Sequence, residues 1–275
     1  MKTWLLVFFI FAGLSPAQAY VPRTKTIVKK MSNNGGRRTY RVVREVTLQN
    51  SYHTVKAKET WTIAHGDKMK LVVESLDDKN PWSFVILYDK GKRQTISSQK
   101  NVKSYPKSPE FFEPIFHDRN YKSLMRRLVG FRFMPDWVLQ TPEPEFKEGK
   151  SKITEEPFVH LEPIDGSITY AVGSKKDASG EPGGTVLWVE QDSFQIKKGR
   201  LRSKAEFSNS KYQSFLGGLK LPREQTITWK DRLATVKLMT AESVSPKNDF
   251  WKLDTKTPSQ LPDDRLVKEF YSRFR

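Results

Sequence analysis

The sequence predicts an α+β chain that is mainly β, an antiparallel meander with two short amphipathic helices. Three observations carry this. Apolar residues alternate with period two over much of the first hundred residues and again in the second half, as strands with one buried face require. Two stretches switch to the 3.6-residue period of a helix. The chain of 275 residues is 37% hydrophobic, with 17 Phe, 9 Tyr and 7 Trp, enough apolar surface to build a core.

The first twenty residues read as a secretory leader. Lys2 supplies a positive start, Trp4 to Leu14 form an apolar run, and Ala17-Gln18-Ala19 has the small-x-small form of a signal peptidase site. The apolar run lies within the roughly 7–15 residues of a leader and falls short of the about 20 that span a bilayer. The expected organisation is a cleaved signal peptide over 1–19, one domain over 20–255, and a linker with a C-terminal helix over 256–275. The mature chain is then exported.

Val21 to Arg38 reads as a polar lead closed by Asn33-Asn34-Gly35-Gly36. Tyr40, Val42, Val46 and Leu48 then share one strand face, with Arg44 in the middle of it. Trp61 and Ile63, then Met69, Leu71 and Val73, then Trp82, Phe84, Ile86 and Tyr88 continue the alternation. The turn Asp89-Lys90-Gly91 leads to a short strand ending at Ile96. In the middle, Phe111 to Phe116 is a proline-bounded apolar turn. It precedes a helix in which Tyr121, Leu124, Met125, Leu128 and Val129 form one stripe, with Asp118 or Asn120 as N-cap. Gln140 to Pro157, rich in Pro, Glu and Lys, reads as a loop. Strands resume at Phe158–Leu161, Ile168–Val172 and Thr185–Val189, with others at 199–207, 224–229 and 233–239. Leu266, Val267, Phe270, Tyr271 and Phe274 form a closing helical stripe capped by Asp263.

A search for catalytic chemistry finds little. The chain has no Cys, which removes disulfides, thiolate metal sites and cysteine nucleophiles together. Its four His, at 53, 65, 117 and 160, have no metal-ligand spacing. The acidic doublets Asp77-Asp78, Glu155-Glu156 and Asp263-Asp264 point their members apart, so none is a catalytic dyad. No enzyme, cofactor or metal site is expected. The net charge of +17 is spread along the chain with no run of five or six like charges, and reads either as a solvated, colloidally stable surface or as a face for an anionic partner. For an exported chain that means an anionic membrane surface or polymer rather than nucleic acid.

Several segments then follow one another in a recognisable order. They are Glu59 to Leu71, the strand-turn-strand Phe84 to Lys92, the helical insertion, Leu187 to Ile196, and Gly217 to Arg223 leading into Ile227–Trp229. This order resembles the LolA/LolB-like periplasmic lipoprotein carriers and related outer-membrane lipoprotein-sorting proteins. The resemblance implies a single strongly curved, half-open, barrel-like sheet wrapped around helices, with a cavity for lipoprotein acyl chains or another lipid. It implies a carrier in the periplasm rather than an enzyme, or an envelope protein-interaction or regulatory module reusing the fold. Where such carriers place Arg-Pro, this chain has His65-Gly66. Trp61, Trp82, Phe84, Phe112, Phe116, Leu124, Met125, Trp188 and Trp229 are the candidate cavity lining, though each could equally close a core. Arg44 either supplies an inward cation or snorkels from an edge.

Overall fold

The computed structural model describes residues 21–96, 100–140, 156–174, 184–254 and 262–275. The leader, the segment 141–155, the loop 175–183 and the linker 255–261 lie outside the described residues. Thirteen strands form one antiparallel, unclosed sheet in the order β6-β5-β4-β3-β2-β1-β13-β12-β11-β10-β9-β8-β7. The first half comprises β1 (Tyr40–Gln49), β2 (Thr54–His65), β3 (Lys68–Ser75), β4 (Ser83–Asp89), β5 (Lys92–Ile96) and β6 (Val102–Pro106). The second comprises β7 (Val159–Ile164), β8 (Ser167–Gly173), β9 (Val186–Glu190), β10 (Ile196–Arg200), β11 (Glu206–Phe215), β12 (Leu219–Trp229) and β13 (Arg232–Ser243). Each half is a meander of sequential hairpins. The long-range pairing of β1 with β13 joins them.

This order dictates the helical layer. Strands β6 and β7 are consecutive in sequence yet lie at opposite edges of the sheet, so the chain between them must cross from one edge to the other. The crossing carries the short 3₁₀ turn Glu113–Phe116 and helix α2 (Tyr121–Gly130). Helix α1 (Thr24–Ser32) packs beside α2, and α3 (Arg265–Arg273) completes the layer.

Curvature follows from what α3 touches. Tyr271 meets Phe84 on β4, while its neighbour Phe270 meets Trp229 on β12, with ring centroids 5.0 and 5.8 Å apart. Those strands stand five places apart, about 24 Å across a flat sheet, yet one helix about 10 Å wide reaches both. The sheet therefore wraps around α3.

Three local expectations differ from the structure. The polar lead contains α1, whose Ile27, Val28 and Met31 are buried. Its first turn receives the carboxylate of Glu156, which accepts from the Thr24 amide at 2.7 Å, a distant acid stabilising the helix N-terminus. The single strand expected at 199–207 is two strands, because Leu201–Ala205 forms a tight turn with Lys204 at φ 66°. The cap of α3 is Asp264, whose carboxylate accepts from the Val267 amide at 3.0 Å; Asp263 instead pairs with Lys268. For α2 the cap is Asn120, accepting from the Lys122 and Ser123 amides.

Candidate functional site

The concave face begins with strand parity. Tyr40, Val42, Arg44, Val46 and Leu48 of β1 all point inward, as do Ala57, Glu59, Trp61 and Ile63 of β2. Leu71 and Val73 of β3, and Phe84, Ile86 and Tyr88 of β4, extend the apolar floor. From the other half come Phe207, Ile227 and Trp229.

Seven of the nine candidate lining residues, Trp61, Phe84, Phe112, Phe116, Leu124, Met125 and Trp229, are buried in one contiguous cluster. Trp82 is partly buried at its margin and stacks on Phe84. Trp188 stands apart. It packs with Ala171, Val186 and Ile164 on the other face of β9, donates to Glu162 at 3.0 Å, and lies beneath Lys198 and Arg200.

Helix α3 fills the space these residues face. Leu266, Val267, Phe270, Tyr271 and Phe274 are each at most 2% exposed. Phe274 packs against Trp229 and Phe112, with ring centroids 5.3 and 6.4 Å away. Phe112 in turn stacks flat on Phe207 at 4.2 Å. That stack depends on Gly199, where a Cβ would come within 2.3 Å of the Phe207 ring.

Beneath the aromatic residues lies a buried charged group. Arg44 and Glu113 form a bidentate pair, with both contacts 2.8 Å. His117 Nε2 donates to the same carboxylate at 2.8 Å. Burial pushes the Glu113 carboxyl up, but the Arg44 charge and the His117 hydrogen bond outweigh it and hold the pKa well below the ordinary range. Burial pushes His117 down despite Glu113, so the imidazole is neutral at pH 7. Next to this pair, Arg275 Nε donates to Glu59 at 3.0 and 3.3 Å, and Trp61 Nε1 donates to Glu59 at 2.9 Å. The Arg275 guanidinium also lies 5.9 Å from the Trp61 ring and 5.1 Å from that of Phe270.

A second ionic cluster ties the crossing segment to the sheet. Arg127 Nε donates to Asp118 at 2.7 Å, and Arg127 Nη2 reaches Asp67 at 3.1 Å. Gly66 permits the approach, since a Cβ there would meet Asp118 Oδ1 at 2.2 Å. The glycine of His65-Gly66 thus serves the docking of the crossing segment. At the opposite end, an open groove of about 770 Å³ runs beside the start of α3, with Val55, Leu76, Trp82 and Asp264 in its wall. Among the described residues no cluster of acidic or His side chains could hold a metal ion. No described helix is long and apolar enough to cross a membrane.

Sequence reasoning singled out Arg44 but passed over Glu59, Glu113, His117 and Arg275. A signal for Glu59 was present: it sits at the inward parity of β2, directly opposite Arg44 in the β1–β2 register.

No protein-family model matches the sequence, and no curated protein matches it. Solved structures do match in shape. A LolA superfamily protein from Nitrosomonas europaea superposes with TM-score 0.53 at 10% identity, over 85% of this chain and 99% of that one. A putative outer membrane lipoprotein-sorting protein domain from Vibrio parahaemolyticus gives 0.51 at 12%, over 82% and 95%. A DUF1329 family protein from Desulfovibrio piger gives 0.50 at 9%, over 83% and 95%. At these identities the likeness speaks for architecture alone: the chain shares the fold of these proteins.

Proposed function

We propose that the chain is a non-catalytic periplasmic carrier that shelters the acyl chains of lipoproteins, or another apolar lipid, beneath its curved sheet. The carrying observation is that the apolar concave face is filled by a helix contributing no strand to the sheet. Helix α3 can leave without breaking a single pair of the ladder.

The energies of such an exchange match. A 16-carbon chain gains about 12 kcal/mol gross on leaving water, at about 0.8 kcal/mol per carbon. The four buried apolar side chains of α3, with Phe274 at its C-cap, gain about 8–15 kcal/mol gross, at about 1.5–3 kcal/mol each. In apolar burial, ligand and helix are therefore near-equal occupants of one space, as a carrier that must both load and release requires. The expected leader over 1–19 supports export, and the basic surface suits docking to anionic headgroups. The same occupied groove supports a second reading, a receptor for an amphipathic peptide helix, since α3 is one.

Native mass spectrometry of protein exported with its own leader and purified without detergent tests this. The carrier reading expects a lipid-sized adduct that disappears on denaturation. A bare mass that persists after incubation with chain-bearing lipids would refute it.

A further inference from the structure

The side-chain charges on the floor of the concave face balance only while the Arg275 guanidinium is present. Its deeply buried ionised side chains are those of Arg44, at 5% exposure, and Glu59, Glu113 and Arg275, each at 0%. His117 is neutral, and Arg93 stands half-buried at the rim, where it donates to the Tyr271 carbonyl at 3.3 Å. Arg44 is fully engaged by Glu113. Glu59 therefore depends on Arg275, its only cationic contact among the described residues, with Trp61 Nε1 as a further donor. The guanidinium does not use its seat fully: Nη2 is buried with no hydrogen-bond partner, while Nη1 donates to the Phe274 carbonyl at 3.3 Å and stands 4.0 Å from Glu113.

Resting on the carrier reading above, we propose that Glu59 selects the head of the ligand. An amphiphile that displaces α3 must present a cationic ammonium or guanidinium group at the seat of the Arg275 side chain, with its apolar chain along the track of Phe270 and Phe274. An apolar or anionic head would leave a carboxylate buried without a cation, which the low dielectric of the site penalises heavily. An ammonium fits the seat physically. It is smaller than the guanidinium it replaces, can donate to both Glu59 oxygens, and meets the faces of Trp61 and Phe270 that now flank Arg275. Helix α3 thus imitates the ligand: a cation at the floor and a run of rings above it.

The preference runs against the protein's own charge. With a net charge of +17, nonspecific adsorption favours anionic amphiphiles, so tighter binding of a cation reports the buried site.

The test compares dodecylamine with laurate, both charged at pH 7 and used below micelle formation, by titration calorimetry on the full mature chain. Variants are Arg275→Gln, which vacates the seat, and Glu59→Gln/Arg275→Gln, which removes the buried charge without leaving an unpaired partner. Circular dichroism checks the fold of each. We expect the amine to bind the native protein at least ten-fold tighter than laurate. Arg275→Gln should raise amine affinity a further ten-fold, and the double variant should erase the preference. Binding of both amphiphiles without preference, or a preference surviving in the double variant, overturns the selection by Glu59 while leaving the carrier reading intact. Binding of neither overturns both.

Discussion

Removing the Glu59 carboxylate while keeping Arg275 should unfold the protein far more readily than removing both charges. Both side chains are fully buried and joined at 3.0 Å. Truncating one partner of such a pair costs about 3–5 kcal/mol, because the remaining charge stays desolvated and unpaired. For a chain of this size, each kcal/mol lowers Tm by about 2–4 °C, so Glu59→Gln should lower it by roughly 6–20 °C. The glutamine keeps an oxygen for the Trp61 indole, now 2.9 Å from Glu59, so the loss isolates the charge. Glu59→Gln/Arg275→Met leaves neither buried side chain of this pair charged and extends the apolar lining, and should cost only about 1–2 kcal/mol. Urea denaturation followed by near-ultraviolet circular dichroism, run as a double-mutant cycle, measures the coupling directly. A double variant whose loss equals the sum of the two single losses would refute the pairing.

Acid should destabilise the fold in two stages. His117 has a lowered native pKa, so the unfolded chain binds the proton first and stability declines as pH falls below about 6.5. Glu113, also lowered, contributes stability present above about pH 4.3 that is lost as pH falls through its native value. His117→Gln should abolish the upper stage and leave the lower, read from urea midpoints between pH 2 and 8. Phe112→Asp, which puts a charge into the Phe207 stack, should eliminate lipid adducts in native spectra. Trp188→Ala should leave them unchanged, because Trp188 lies in the separate cluster on the other face of its strand. Gly199→Ala must move the Phe207 ring and should cost about 1–3 kcal/mol in urea denaturation.

The sheet was legible because its determinants are local. Alternation in Tyr40–Leu48, Trp61–Ile63 and Trp82–Tyr88 sets both strand and inward face and places Trp61 and Phe84 in the main cluster, while Phe112, Phe116, Leu124 and Met125 join it from the crossing segment. Trp188 shows where the pattern fails. Val186 to Val189 are all buried, so period two cannot say which pair faces the main core. Helix α1 was hidden by a polar composition, and its N-terminal acid, Glu156, comes from a residue far along the chain. The charged floor was hardest to see. Arg44 and Glu59, Glu113, and Arg275 come from three separate parts of the chain, and a charged residue in an apolar pattern reads as an exception until its partner is known. The one local clue was the register that sets Arg44 opposite Glu59. That α3 fills the groove could not be read from its amphipathic stripe, which specifies a buried face but not what covers it.

The account stands or falls on whether ligand and α3 compete for one space. Because the chain has no Cys, a single pair can be introduced cleanly where His53 Nε2 meets Asp264 at 2.7 Å, tying the residue just before β2 to the N-cap of α3. With His53→Cys and Asp264→Cys bridged by a short bis-maleimide, the helix cannot leave. Binding of dodecylamine should then be lost, while the same protein left unbridged binds it. Equal binding by bridged and unbridged protein would contradict the account.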